Sequence, residues 1–360
     1  REPGNGWHAI EGSEWYYEGM FSPHMPDLRL ENENVRSDIR DIMQFWFDKG
    51  VSGFRLDAAK EFYSGSTSRN VEVLSWIQET ATAIKPDCYL VAEVWENFNQ
   101  IAAYYESGIT SIFNFAFGNS DGKIAKVIQG AGNESVVTTY ATALEKADTA
   151  YRTMNPDYID APFLSNHDVG RIAGFAGRDE NKMKMAAAMN LFMGGSAFIY
   201  YGEEIGLRGS RGSEMTDANR RLAMRWGDDD LIRSPEGANY PEKNQIQTTV
   251  ADQMADENSM YQYYCRLIAV RHKYPAIARG AYTALSCGKN TFGGFLIEYE
   301  GEKLGLFHNT SNEEVTYDLS KCKALSGHSF TQLLDAIGAG TARLEGNMLT
   351  VGAYTSVILG

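Results

Sequence analysis

Three features of the sequence predict an α/β fold built on a parallel sheet and followed by a small antiparallel β-sandwich. Between residue 50 and about residue 200, apolar strands, loops and helix-period segments alternate five times. That is the pattern of successive strand–helix units in one parallel sheet. One of these strands, Cys88-Tyr89-Leu90-Val91-Ala92, is apolar almost throughout, as strands buried on both faces are. Beyond Gly280 the chain changes to short alternating runs separated by Gly, Asn and Ser turns, the texture of a sandwich.

Residues 1–33 are irregular and aromatic, with Trp7, Trp15, Tyr16, Tyr17 and Phe21 among Gly, Ser and Pro, and end in Met25-Pro26-Asp27-Leu28-Arg29-Leu30. Such a segment packs as a surface loop or covers a cleft as a lid. From Asn34 the apolar residues Val35, Ile39, Ile42, Met43, Trp46 and Phe47 recur at three and four, and Gly50 closes the predicted helix. The strand Gly53-Phe54-Arg55-Leu56-Asp57 follows. Phe54 and Leu56 project from one face of it, and Gly53, Arg55 and Asp57 from the other. After a Ser64–Ser68 loop comes a second helix with Val71, Leu74, Ile77 and Ile84 inward, stopped by Lys85-Pro86-Asp87.

The apolar strand from Cys88 closes on Glu93 and Val94, a place where packing gives a carboxylate no role. Helix signals at Ile101–Tyr105 precede a third strand, Ile109–Phe115, and a mostly helical stretch over 121–150. Asp160–Asp168 reads as a fourth strand with a polar exit. The helix over 180–193 carries Met183, Met185, Met189 and Met193, read as core filler. A fifth strand, Ser196–Tyr201, runs into Gly202-Glu203-Glu204. A polar loop over about 205–256 carries Arg220-Arg221-Leu222-Ala223-Met224-Arg225-Trp226, and a last helix holds Met260, Tyr263, Tyr264, Leu267, Ile268 and Val270. Strands Phe295–Tyr299, Leu304–His308, Met348–Val351 and Ser356–Leu359 make the sandwich. The expected divisions are 1–33, 34–280 and 281–360.

A net charge of -14 and a pI near 5.0 repel phosphate backbones and anionic lipid, which argues against nucleic acid or a membrane surface as partner. They favour a neutral or cationic ligand, and 20 Tyr with 6 Trp suit stacking on sugars. No apolar run is long enough for a transmembrane helix. Cys88, Cys265, Cys287 and Cys322 show no metal or redox spacing and read as free thiols, leaving the redox compartment undecided.

Three acids, Asp57, Glu93 and Asp168, each close a strand, with Arg55 and His167 beside them. In an eight-stranded parallel barrel all strand C-termini meet at one face, which would gather these distant carboxylates. Cleaving an acetal between sugars needs one carboxylic acid to protonate the leaving oxygen and one carboxylate to attack or stabilise the oxocarbenium carbon. Arg55 would keep Asp57 ionised. Glu93, in a more apolar setting, could keep its proton and serve as acid, then base.

The segments Gly53-Phe54-Arg55-Leu56-Asp57-Ala58-Ala59-Lys60, Val91-Ala92-Glu93-Val94-Trp95 and Phe163-Leu164-Ser165-Asn166-His167-Asp168 resemble three signature regions of the α-amylase family of glycoside hydrolases, in the family's order. Ile199–Glu204 and the Arg-x-x-Met-x-Trp run at 221–226 resemble two more. Met25-Pro26-Asp27-Leu28 is similar to the mixed α-amylase, neopullulanase and α-glucosidase-like branch. The resemblance spans essentially the whole chain. It implies a (β/α)8 TIM barrel with a C-terminal sandwich, and a retaining cleavage of α-1,4 or α-1,6 glucosidic bonds in starch, maltodextrin or related α-glucans. It further implies that Asp57 is the nucleophile, Glu93 the acid/base and Asp168 the transition-state stabiliser, with Arg55, Lys60, His167 and Arg171 binding substrate. No cofactor is implied for the chemistry. Structural calcium is common in the family, and its ligand set here is left open. The resemblance leans towards a bacterial extracellular or cell-surface setting.

Two departures bear on product specificity and metal dependence: Glu61 where many members have His, and Arg29 in place of the usual Asn. A third is larger, because only the fourth to eighth barrel strands are recognisable. Residues 1–33 then correspond to the end of the family's inserted loop domain. Five parallel strands cannot close a barrel, so an N-terminal fragment of the same enzyme is expected to complete it. The alternatives kept open are an α-glucan transglycosylase and a non-catalytic glucan-binding fragment.

Overall fold

The computed structural model describes residues 6–130, 136–211, 216–228 and 232–360. Residues 1–5 of the predicted lid, 131–135 of the predicted helical stretch, and 212–215 and 229–231 of the polar loop lie outside the described residues. The chain divides into two compact units, residues 1–113 with 150–159, and residues 114–149 with 160–360.

In the first unit the aromatic segment folds a short hairpin from β1 (Trp7–Ala9) and β2 (Tyr16–Glu18), in register Trp7↔Glu18. Helix α1 (Glu33–Asp48) starts where the Asn32 side chain accepts from the Asn34 N–H at 2.9 Å, and ends at Gly50 with φ +92°, a left-handed position that suits glycine. Of the apolar stripe predicted for it, only Met43 is buried, while Ile42 and Trp46, with Phe45, are exposed. The periodicity is helical, but that face is not covered.

Strand β3 (Gly53–Leu56) pairs in parallel with β4 (Tyr89–Ala92), in register Gly53↔Tyr89 to Leu56↔Ala92, and β4 pairs in parallel with β5 (Ser111–Phe113). Strand β3 is an edge of the sheet. Between β3 and β4, helix α2 (Thr67–Ile84) buries Val73, Leu74, Ile77 and Ala81, leaving Val71 and Ile84 half-buried, one step off the predicted inward set. It also buries Asn70, whose side chain donates to the Lys60 carbonyl at 2.5 Å and accepts from the Tyr63 N–H at 2.7 Å. Satisfied in this way, a buried amide fixes the turn after β3. Helix α3 (Phe98–Tyr105) follows β4 and sends the buried Tyr105 against Tyr151, ring centroids 5.1 Å apart.

The second unit contains α4 (Lys123–Gln129) and most of α5 (Val137–Met154). Of the predicted fourth strand only β6 (Ile159–Ala161) is regular, with the Asn114 N–H donating to the Ala161 carbonyl at 3.0 Å. The predicted fifth strand is extended without forming a regular strand. Even so, Ser196 N–H donates to Asp160 O at 2.7 Å and Phe198 N–H to Pro162 O at 2.8 Å. Gly195, at φ +80°, makes that approach: a Cβ there would lie 2.1 Å from the Asp160 carbonyl oxygen. After α6 (Ile172–Phe175), helix α7 (Glu180–Leu191) buries Met183, Met185 and Met189. Met193, just beyond it, is buried too, so the methionines pack as filler. Helices α8 (Val250–Ala255), α9 (Met260–Lys273) and α10 (Pro275–Arg279) lead to the antiparallel region.

That region has eight strands, β7 (Ala281–Lys289), β8 (Phe292–Tyr299), β9 (Glu302–Asn309), β10 (Val315–Asp318), β11 (Leu333–Gly338), β12 (Ala342–Glu345), β13 (Met348–Val351) and β14 (Thr355–Leu359). They form sheets of order β11-β14-β9-β8-β7 and β10-β13-β12. Leu285, Phe292, Phe307, Leu349, Val351 and Val357 pack in one apolar core, with Phe292 and Phe307 stacked at 5.6 Å.

Candidate active site

In the first unit the strand ends place two of the three predicted acids on one guanidinium. Arg55 Nη1 donates to Asp57 Oδ1 at 2.5 Å, and Arg55 Nη2 donates to Glu93 Oε2. The backbone holds this arrangement: Glu93 N–H donates to Leu56 O and Ala59 N–H to Glu93 O, each at 2.9 Å, extending the β3–β4 ladder past the regular strands. Ala58 lies in the left-handed region at φ +44°. A non-glycine residue in that region is held there by its surroundings, and here it turns the chain directly after Asp57. The two carboxylates differ in access, since the side chain of Asp57 is 73% exposed and that of Glu93 13%. The sequence assigned Arg55 to Asp57 alone, whereas here it serves both.

Lys60 Nζ donates to Glu96 Oε1 at 2.9 Å, and this hydrogen bond raises the amine above its ordinary range. Asp57 lines a cavity of about 240 Å³ with Phe21, Leu28, Glu61 and Phe62. A second cavity of about 610 Å³ shares Asp27, Leu28 and Phe62 with it and adds Trp7, Tyr16 and Tyr63. Rings with polar groups between them are the lining that sugar faces and hydroxyls match. In that second cavity Glu31 accepts from Tyr63 Oη at 2.5 Å and from Arg69 at 2.9 Å.

In the second unit Asp168 has its own set of basic neighbours. Arg221 Nη2 donates to Asp168 Oδ1 at 3.1 Å, and His167 Nε2 lies 3.1 Å from Asp168 Oδ2. Arg221 Nε donates to the His167 carbonyl at 3.1 Å, and Arg220 Nη1 donates to the Asp168 carbonyl. The side chain of Asn166 accepts from the N–H groups of Asp168 and Val169 at 2.8 and 3.0 Å, an Asx turn that sets the chain's exit from the strand region.

Arg171, predicted among the substrate-binding residues, is 1% exposed. Its guanidinium carbon lies 4.5 and 4.8 Å from the ring centres of Tyr200 and Tyr201, and Nη1 donates to the Tyr201 carbonyl at 2.6 Å. Burial pulls its pKa down. It packs beneath the surface here. Close by, buried Glu203 accepts from the Ser165 N–H at 3.0 Å and from Ser165 Oγ at 2.5 Å, and burial pushes its carboxyl up to about 8.

The reading from sequence left several residues without a role. Arg220 and Arg221 were visible as an Arg pair five residues before Trp226, but spacing gave no reason to aim them at Asp168, 53 residues away from Arg221. Asn166 and Asn70 were invisible as positioning groups because their partners are backbone atoms and, for Asn70, also the distant Tyr104 hydroxyl at 3.3 Å. Among the described residues no group of three or more His, Cys, Asp or Glu could hold a metal ion, so no calcium ligands are identified. No helix among them is long and apolar enough to cross a membrane.

A family model described as alpha amylase, catalytic domain, matches residues 2–280. The chain is 32% identical over 346 residues to Alpha-amylase 3 of Dictyoglomus thermophilum, covering 96% of this chain and 65% of that protein. It is 31% identical over 316 residues to Alpha-amylase SusG of Bacteroides thetaiotaomicron, covering 84% of this chain and 44% of that one. It thus spans less than two thirds of either relative. Among solved structures, Amy13B of Eubacterium rectale superposes with a TM-score of 0.90 at 37% identity, covering 99% of this chain and 69% of that one.

Proposed function

Since the chain belongs to the α-amylase family of glycoside hydrolases, we propose that its residues carry out retaining hydrolysis of α-glucosidic bonds in starch, maltodextrin or related α-glucans, with Asp57 as nucleophile and Glu93 as acid/base. The observation that carries this reading is the sharing of Arg55 by both carboxylates. One guanidinium limits how far apart the two groups can stand. That favours the roughly 5–5.5 Å of a retaining pair over the wider spacing that leaves room for a water.

In this reading the better-shielded Glu93 protonates the leaving glucosyl oxygen while exposed Asp57 attacks the anomeric carbon, and a covalent glycosyl-enzyme forms. Glu93, now a carboxylate, takes a proton from the water that opens the intermediate. Asp168, held by Arg221 and His167, is assigned to the sugar hydroxyls next to the reacting centre. Lys60 is assigned to the leaving side, and Arg171 to positioning the backbone around Tyr201. The family's chemistry needs no cofactor.

The reading includes a barrel completed by strands outside these residues. Support comes from β3 as a sheet edge and from the exposed Ile42, Phe45 and Trp46 of α1, since open edges and wide apolar faces are ordinarily covered.

The deciding experiment follows maltooligosaccharide cleavage by proton NMR in the enzyme containing these residues. An α-anomer as first product is expected, and a β-anomer overturns the retaining assignment. Glu93→Gln should lower turnover by about a thousandfold, and undiminished turnover removes Glu93 from its role.

A further inference from the structure

The sandwich strands hold two thiols that the glycosidase reading does not use. Cys287 sits in β7 where the β7–β8 register slips between Ser286 and Lys289. Cys322 stands between two short 3-10 turns, Leu319–Lys321 and Lys323–Leu325. Both are buried in the same apolar core, and the two thiols are hydrogen-bonded to each other. Their surroundings are unequal. Cys322 lines a cavity of about 550 Å³ together with Lys321, Lys323, Ser326 and His328, whereas Cys287 does not.

We propose that Cys287 and Cys322 are a redox pair that closes to a disulfide by exchange with a small soluble disulfide bearing carboxylates, with Cys322 as the attacking thiol. Cys322 lines this cavity and Cys287 does not, and Lys321 and Lys323 at its wall complement carboxylates. The hydrogen bond from Cys287, and after it the N–H groups of Ala324 and Leu325, pull the Cys322 thiol down. Donating that hydrogen bond, together with burial, pushes Cys287 up. The thiol at the cavity is therefore the one that meets an incoming disulfide, and the other resolves the mixed disulfide.

The steps balance. Cys322 gives its proton to solvent and its sulfur attacks one sulfur of R–S–S–R. The S–S bond breaks, and RS⁻ leaves and is protonated. Cys287 then loses its proton to solvent and its sulfur attacks the Cys322 sulfur of the mixed disulfide, releasing the second RS⁻. The two protein thiols lose two electrons in all, and R–S–S–R becomes two R–SH.

Cys265 is exposed and would react on its own, so the test uses a Cys265→Ser protein incubated with oxidised glutathione and mapped by non-reducing peptide mass spectrometry. A glutathione adduct on Cys322 is expected first, followed by a Cys287–Cys322 cross-link, and Cys287→Ala should trap the adduct. A Tm rise of roughly 5 °C on closure is expected for a loop of this length. If Cys287→Ala does not fold, the time course in the Cys265→Ser protein carries the same information. The proposal is overturned if neither thiol reacts under conditions that modify Cys265 in the parent, or if the first adduct forms on Cys287.

Discussion

Ser165 gives both its backbone N–H, at 3.0 Å, and its hydroxyl, at 2.5 Å, to one oxygen of Glu203. Both groups are buried, and the pair lies one residue before Asn166, whose side chain turns the chain into His167 and Asp168. The other Glu203 oxygen has no hydrogen-bond partner among the described residues. A carboxyl in that setting is favoured in its protonated form.

This sets a pH dependence. The Glu203 carboxyl is raised from 4.5 to about 8, so between those values the folded chain holds a proton that the unfolded chain has released. Its contribution to stability is full below about 4.5 and is lost as pH rises through 8. Glu203→Gln keeps an oxygen for Ser165 and removes the titration. The Tm difference between variant and wild type should therefore shift in the variant's favour by roughly 3 °C from pH 5 to pH 8. A constant difference in differential scanning calorimetry refutes this.

Arg55→Lys keeps the charge but cannot serve two carboxylates at once, because a lysine presents a point donor and not a fork. The two acids should lose their mutual registry. A fall in kcat on the order of a hundredfold is expected, as for other small misplacements of catalytic groups, with KM nearly unchanged. Steady-state kinetics on a defined maltooligosaccharide checks this.

Asp168→Asn removes the anion that Arg221 and His167 address while keeping the shape. The variant should fold with an unchanged Tm and lose roughly a hundred- to a thousandfold in kcat, the range for removing one group that stabilises a transition state. Arg221→Ala should lose less, since His167 stays beside the carboxylate.

In the sandwich, Phe307→Ala empties a fully buried ring position stacked on Phe292. A loss of about 3–5 kcal/mol is expected from urea denaturation. An effect under about 1 kcal/mol would mean that the core re-forms around the gap.

The alternation of strands and helices was legible because apolar period and breakers agree there. Gly50, Pro86 and the apolar run before Glu93 each mark a real boundary. The fifth predicted strand was overread: its apolar residues suit a strand, but Gly194 and Gly195 before it bring the backbone close without regular pairing. The α1 stripe forms the helix its period indicates, but periodicity reports which residues could face a neighbour and not which ones do. Asp57 and Glu93 stand out in the sequence by type and by their place at strand ends, and the structure sets both on Arg55. Residues that act through backbone atoms, such as Asn70 and Asn166, leave no mark in a sequence. Arg171, assigned to substrate by the resemblance, lies against two tyrosine rings and donates to the Tyr201 carbonyl, a placement that its type and position do not announce.

At Gly53 a β-carbon would sit 1.7 Å from the carbonyl oxygen of Tyr89. The hydrogen atom there is thus a spacer gauge: it sets how tightly β3 and β4 can lie, and with them the gap between Asp57 and Glu93 at their ends. Even alanine would act as a wedge, prising the two acids apart from beneath while leaving both side chains chemically unaltered. On the proposed roles, a protein altered in that way would lose turnover while still bearing Asp57 and Glu93.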